Sequence, residues 1–174
     1  GPGTDEAGGL DLEAIEREFA AGIDAFILCN PHNPHGIVFT HAELTALAEL
    51  AAKYDVFVVS DEIHAPLVHD PAAFIPFAPV AAEAGALALA STSASKGWNI
   101  AGAKCAVLVA ADDRSAELLD KLPPEAVTRS SILGLHAGVA AFTEARDWLD
   151  RAIAQIKAND DLLAELISAQ LPGV

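Results

Sequence analysis

The stretch Ser91-Thr-Ser-Ala-Ser-Lys-Gly-Trp-Asn-Ile-Ala-Gly-Ala-Lys104 decides how the fold of this chain is interpreted. It follows the apolar run Leu87–Ala90 and precedes a second apolar run, Cys105–Ala110. Short apolar runs of this kind are typical of buried strands. The glycines between them let a ligand approach the backbone, and a lysine held at a strand end can contact that ligand. Taken alone, such a lysine is more often a solvated surface residue, so the rest of the chain must decide.

Composition limits the class of protein. The chain has 174 residues, of which 52% are hydrophobic, and this is enough for one domain with a buried core. Its net charge of −15 argues against a nucleic acid or an anionic membrane as partner, because both need a cationic surface. Cys29 and Cys105 each lie in an apolar run, which favours buried, reduced thiols and a cytoplasmic location.

The order of apolar runs and turn residues predicts an α/β fold with three layers, α/β/α, built on a mostly parallel sheet and followed by a long helical segment. Only about a dozen residues separate the last two strands, which is short for a parallel crossover and favours an antiparallel fourth strand. Prolines 66, 71, 76 and 79 predict a loop with at most a short helix near residues 80–84. The predicted helices are Leu10–Ala21, Thr40–Tyr54 and Ile132–Leu171 with a break near Arg146, and the predicted strands are Asp24–Cys29, Val56–Ser60, Leu87–Thr92 and Cys105–Ala110.

Polar side chains follow three of the four predicted strands. Asn33 comes after the first strand, Asp61 after the second, and Ser93, Ser95 and Lys96 after the third. In an open α/β sheet, ligands bind at the carboxyl ends of the strands, so these groups should meet at one edge. An amine can form an imine with an aldehyde, and a carboxylate can keep an aromatic ring nitrogen protonated. The set therefore suits an aromatic aldehyde cofactor with a phosphate tail.

Three motifs make the chain recognisable as a member of a family. They are Asn30-Pro-His-Asn-Pro-His-Gly36, Ser60-Asp-Glu-Ile-His64, and Ser93-Ala-Ser-Lys96 with Gly102 and Lys104 downstream. In this order and spacing they resemble the fold-type I pyridoxal-phosphate enzymes. Within that group the chain looks most like the aminotransferase-related carbon–sulfur lyases of the cystathionine β-lyase type. The resemblance covers the chain from about residue 10 onward.

The resemblance implies a role for each matched residue. Lys96 would be the Schiff-base lysine and later the base that acts on the substrate Cα. Asp61 would pair with the pyridine nitrogen, and Asn33 would bond the phenolic oxygen of the cofactor. Ser93 and Ser95 would lie near the phosphate.

Three positions depart from ordinary aminotransferases. His64 stands where those enzymes commonly have a tyrosine that contacts the cofactor, and Lys104 stands where they usually have an arginine for the phosphate. Both departures look like the lyase branch, and a lysine can bind phosphate as a point charge. His35 stands where threonine is usual, and we give it no weight.

The activity that the resemblance implies is α,β-elimination from cystathionine or a similar cysteine conjugate, with pyruvate, ammonia and a thiol as products. The substrate would be a small amino acid, and the intact protein would be a homodimer, as is usual in the family. Residues 10–145 would be the central part of the large cofactor domain, residues 146–174 would lead to a small domain outside this chain, and residues 1–9 would be an extended or disordered start. The chain alone would be incomplete and inactive.

Three alternatives remain open at the level of sequence. The first is an aminotransferase that uses the same cofactor. In this sequence, only His64 and Lys104 favour the lyase over it. The second is a non-catalytic α/β fragment that packs against a partner chain. The third is a metal-dependent hydrolase built on Asp61 and the histidines, although Pro31 and Pro34 are expected to splay His32 and His35 apart. We predict Trp98 and Trp148 to be packing anchors, and we assign Glu62 no role.

Overall fold

The computed structural model describes residues 8–70 and 74–171. The predicted extended start therefore falls almost wholly outside the described residues, as do Pro71 and the last three residues. The helices are α1 Leu12–Ala20, α2 His41–Tyr54, α3 Phe77–Ala84, α4 Ala94–Gly97, α5 Asp113–Leu119, α6 Pro124–Thr128, α7 Ile132–Glu144 and α8 Arg146–Gln170. The strands are β1 Ala25–Cys29, β2 Phe57–Asp61, β3 Ala88–Thr92 and β4 Val107–Ala110, and short 3-10 turns lie at Ala65–Leu67 and Ala101–Ala103.

The four strands form one sheet in the order β1-β2-β3-β4. The first three are parallel, and β4 runs antiparallel to β3. Cys29 pairs with Asp61, and Asp61 pairs with Ser91, so the carboxyl ends of the parallel strands are level with one another. The flanking helices, the mostly parallel sheet and the long last helix confirm the predicted α/β/α class.

The main hydrophobic core packs the sheet against the first three helices. Asp11 caps α1 by accepting a hydrogen bond from the Ala14 N–H at 2.9 Å. Thr40 and Glu43 form a capping box at the start of α2, as their spacing predicts. Both helices then present an apolar face to alternate residues of β1 and β2. The largest fully buried side chains of this core are Ile15, Phe19, Leu28, Phe39, Leu44, Leu47, Val56, Val58 and Phe77.

Helix α3 is longer than predicted, because it begins at Phe77 rather than near residue 80. Pro79 is the third residue of the helix, and a proline is tolerated there because the first-turn N–H groups have no partner within the helix. Gly85 ends the helix with a left-handed φ of 74°. The proline-rich composition therefore hid the first turn of this helix.

The C-terminal region is two helices with a break at Ala145, next to the predicted break. Helix α8 is 25 residues long, and its side chains are mostly exposed after the first turn. That a small domain follows it remains a prediction. Among the described residues, no helix has both the length and the apolar composition needed to cross a bilayer.

Candidate active site

The predicted site residues gather around the carboxyl edge of the parallel strands. Asp61 is the last residue of β2, and Asn33 lies four residues after the end of β1. Lys96 lies on α4, which begins two residues after β3. Backbone hydrogen bonds continue past the strand ends, because the Asn30 N–H donates to the Asp61 carbonyl at 3.0 Å. The three residues on which the sequence interpretation depends therefore lie at or after the carboxyl ends of neighbouring strands.

The turn that carries Asn33 is closed by its own hydrogen bonds. The Gly36 N–H donates to the His32 carbonyl at 2.8 Å, and the His32 N–H donates to the Ile37 carbonyl at 2.7 Å. The Cys29 Sγ accepts the Asn33 N–H at 3.4 Å, which fixes the turn to the end of β1. The Asn33 side chain is exposed and can meet a ligand.

Asp61 and His64 lie on the neighbouring chain segment. The Asp61 Oδ1 accepts the Ile63 N–H at 3.1 Å, which bends the chain directly after β2. His64 follows in this bend and precedes the turn Ala65–Leu67. Asn33 and His64 line one cavity of about 430 Å³, together with the apolar residue Val38 and with Leu67, Val68, His69 and Asp70. A ring-sized ligand would therefore have room between these two segments.

Lys96 lies on a short helix, whereas the sequence analysis predicted only that it follows the end of a strand. Ser93 caps α4, because its Oγ accepts the Ser95 N–H at 3.1 Å. The Ser93 hydroxyl also donates to the Cys105 carbonyl at 2.6 Å and lies 2.7 Å from the Ser95 Oγ. Ser93 is buried, Ser95 is half-buried, and Lys96 is exposed. Ser95 and Lys96 are therefore more accessible to a ligand than Ser93 is.

Lys104 lies between α4 and β4, and its side chain is exposed. It ends the turn Ala101–Ala103 with a left-handed φ of 52°. Cys105 directly follows Lys104, and its carbonyl accepts the hydrogen bond from the Ser93 hydroxyl. This bond holds the segment against the start of α4. The structure therefore anchors the chain beside Lys104 to the helix that carries Lys96.

The histidines do not lie as the sequence predicted. His32 and His35 were expected to be splayed apart, but their rings stack with centroids 5.1 Å apart and planes 12° apart. The prediction was wrong because the turn closed by Gly36 folds the chain back on itself. Among the residues that the structure describes, no group of three or more histidine, cysteine or acidic side chains could hold a metal ion.

Two other side-chain predictions need correction. Cys29 and Cys105 are free thiols, as predicted, but both are half-buried rather than buried. Trp98 is buried, whereas Trp148 is 43% exposed and is not a packing anchor in this structure. Trp148 is exposed because it lies on the outward side of α8, next to the buried Leu149.

Glu62 has a structural role that the sequence interpretation missed. Its side chain is only 6% exposed, and its Oε1 accepts hydrogen bonds from the Ser60 hydroxyl at 2.9 Å and the Phe77 N–H at 2.8 Å. Burial raises the pKa of the Glu62 carboxyl, and the two hydrogen bonds oppose this shift. The sequence did contain an indication of this role. Strand alternation places Glu62 on the same face as Ser60, and a carboxylate buried there needs hydrogen-bond partners.

We expect Glu62→Gln to become more favourable to stability as the pH rises. The folded-state pKa of Glu62 lies above its ordinary value of 4.5, so its contribution to the free energy of unfolding is fully present below 4.5 and is lost as the pH rises through the folded-state pKa. Glutamine can accept the same two hydrogen bonds and does not ionise. In thermal unfolding between pH 4 and pH 8, the midpoint temperature of the variant should rise relative to that of the wild type as the pH increases.

Glu62→Ala is the matched variant for this prediction. It should lower stability at every pH by about 1–3 kcal/mol, because the Phe77 N–H and the Ser60 hydroxyl lose their acceptor. A Glu62→Gln variant whose midpoint follows that of the wild type at every pH would contradict the account of Glu62.

Comparison with known proteins shows the family of the chain. The family model for class I and II aminotransferases matches residues 4–173. The chain belongs to the class I and II aminotransferase family. The match includes all the candidate site residues, from Asn33 to Lys104.

Relatives within the class I and II aminotransferase family include lyases. A cystathionine beta-lyase of Corynebacterium glutamicum is 38% identical over 154 residues, which are 88% of this chain and 42% of that protein. A crystal structure from Corynebacterium diphtheriae matches with a TM-score of 0.87 at 40% identity, over 97% of this chain and 45% of that one. The PLP-bound C-S lyase of Staphylococcus hominis matches with a TM-score of 0.84 at 25% identity, over 95% of this chain and 42% of that one. The chain thus spans less than half the length of the relatives that it matches.

Proposed function

We propose that the protein is a pyridoxal-phosphate-dependent carbon–sulfur β-lyase that acts on cystathionine or a similar cysteine conjugate. The observation that carries the proposal is that an amide, a carboxylate and an amine occur at or shortly after the carboxyl ends of β1, β2 and β3, which are level with one another. These groups belong to Asn33, Asp61 and Lys96. Family membership and the similarity to a cystathionine beta-lyase and to a PLP-bound lyase support it.

The chemistry of these side chains fits pyridoxal phosphate. Asn33 and His64 would bind the phenolic oxygen, and Asp61 would bind the ring nitrogen. Ser95 and Lys104 would bind the phosphate, with Ser93 shaping the loop as well as lying near it. When bound, the cofactor would supply an electron sink that stabilises negative charge at the substrate Cα.

The proposed reaction assigns work to two residues. The Lys96 Nζ would bind the cofactor aldehyde at rest and would take the proton from the substrate Cα during turnover. The Asp61 carboxylate would favour the protonated ring nitrogen by its opposite charge. The C–S bond then breaks, the thiol leaves, and one water is consumed in releasing pyruvate and ammonia.

Product analysis distinguishes the lyase from an aminotransferase. Cystathionine is incubated with the full product of the gene, with and without an added keto acid, and pyruvate is measured. A lyase releases pyruvate and a thiol without the keto acid. Amino transfer that depends on the keto acid, with no thiol released, would favour the aminotransferase instead. Neither activity in protein that binds the cofactor would favour the non-catalytic alternative.

We also propose the assembly and setting of the intact protein. Residues 10–145 would be the central part of a cofactor domain, and α8 would lead to a further small domain. The protein would be cytoplasmic, in keeping with two free thiols. A homodimer is supported by an exposed apolar surface on α7, made by Ile132, Leu133, Leu135, Val139 and Phe142.

We expect Leu133→Glu to weaken the dimer. Leu133 is 76% exposed in the single chain, so a charge there is tolerated by the monomer but costs free energy in an apolar interface. Light scattering after gel filtration should show a dimer for the wild type and a monomer for the variant at the same concentration. Leu122→Glu, at an exposed leucine outside α7, should remain dimeric. A Leu133→Glu variant that remains dimeric would contradict the use of this surface.

A further inference from the structure

The helix that carries Lys96 is too short to fix its own position. Helix α4 has four residues, Ala94–Gly97, and an isolated helix of one turn is unstable. Its Lys96 side chain is exposed, so the lysine itself contributes little packing. The position of the Lys96 amine therefore depends on what α4 contacts.

Gly97 presses one side of α4 against the turn that follows His64. A Cβ at Gly97 would lie 2.8 Å from the Cβ of Pro66 and 3.8 Å from the Leu149 Cδ1. No ordinary side chain fits there without moving Pro66, so the two backbones approach closely. This contact sets α4 beside the segment that carries Asp61 and His64.

Trp98, the residue that follows Gly97 and ends α4, is bound to the break between α7 and α8. Its indole is 8% exposed, and the Nε1–H donates to the Ala145 carbonyl at 2.9 Å, a hydrogen bond that joins residues 47 positions apart. Its ring meets Phe142 edge-on, with centroids 4.8 Å apart. It shares a small buried cluster with Ala94 on α4, Ala141 on α7 and Leu149 on α8.

We propose that Trp98 is a positioning residue for Lys96, which ties α4 to the break between α7 and α8 and so fixes where the amine meets the cofactor. The inference rests on the proposed function of Lys96. Without the indole anchor, the cluster of small and aliphatic residues leaves α4 free to shift relative to Asp61. Even a small displacement of the Lys96 amine changes how readily it attacks an aldehyde and how firmly it holds it.

The test compares Trp98→Phe with Trp148→Phe, the chain's other tryptophan, which is 43% exposed. Phenylalanine keeps an aromatic ring and removes the N–H donor. Pyridoxal phosphate is added to the full product of the gene, and three quantities are measured. They are the pH midpoint of the absorbance band of lysine-bound cofactor, the rate of borohydride trapping at Lys96, and the thermal midpoint.

For Trp98→Phe we expect a shift of at least about half a pH unit in the absorbance midpoint and about tenfold slower trapping, because the amine is displaced. Trp148→Phe should match the wild type in both. A Trp98→Phe protein that titrates and traps like the wild type, even with a lower thermal midpoint, would overturn the proposal and leave Trp98 a packing residue only. If that variant does not fold, Phe142→Leu weakens the ring contact and should still shift the absorbance midpoint and slow the trapping, by less than is expected of Trp98→Phe. A Phe142→Leu protein that titrates and traps like the wild type would overturn the proposal. Failure of the wild type to be trapped at Lys96 would instead refute the proposed function.

Discussion

Replacing Lys96 with alanine should abolish pyruvate release from cystathionine, with a fall of at least about a thousandfold in kcat/KM. Loss of a general base alone typically costs about 10²–10⁴-fold, and Lys96 would also be the group that holds the cofactor. The same variant should lose the absorbance band of lysine-bound cofactor. Because the Lys96 side chain is exposed and has no packing role, thermal stability of the apoprotein should change little.

Two matched variants sharpen this experiment. Lys96→Arg keeps the positive charge, but its guanidinium stays protonated and cannot serve as a base, so it should be as inactive as the alanine variant. Lys121→Ala removes an exposed lysine far along the chain and should leave activity unchanged. Wild-type activity in Lys96→Arg would mean that charge, rather than a proton-accepting amine, is what the site needs.

Asp61→Asn should have the second largest effect, with a fall of at least about a hundredfold in kcat/KM. That is the size typical of removing one charge-stabilising group from an active site. Asparagine can still accept the Ile63 N–H, so the bend after β2 should persist. The variant should bind pyridoxal phosphate, yet convert cystathionine slowly, because the ring nitrogen loses its carboxylate partner.

The neighbouring Glu62→Gln variant is the control for this prediction. It makes the same chemical change one residue further along, in a buried side chain that accepts hydrogen bonds from the Phe77 N–H and the Ser60 hydroxyl. Its kcat/KM should stay within about threefold of the wild type, the range expected of a substitution that spares the reacting groups. Equal losses in the two variants would show that Asp61 acts only by holding the local structure.

The strand ends could be predicted from sequence because the two patterns that mark them, an apolar run and the polar residues after it, are both local. The strands are nearly continuous apolar runs, Asp61 ends the second of them, and Asn33 and Lys96 each lie four residues after the end of a strand. The antiparallel fourth strand was predictable because the connection before it is short. The capping box of Thr40 and Glu43 likewise depends on residues three apart.

What escaped prediction depends on contacts between distant residues. A four-residue helix leaves no periodic pattern, so nothing near Lys96 indicated α4. The close approach of Gly97 to Pro66 and the bond from Trp98 to Ala145 join residues that are about 30 and 47 positions apart. The stacking of His32 on His35 follows from how one turn closes, which proline positions alone did not indicate.

Borohydride reduction of the protein after incubation with pyridoxal phosphate, followed by peptide mapping, tests the central claim most directly. The chain has five lysines, so the modified position is informative. The account predicts one stable pyridoxyl adduct, on the Nζ of Lys96. An adduct at another lysine, or the absence of a specific adduct in folded protein, would contradict it.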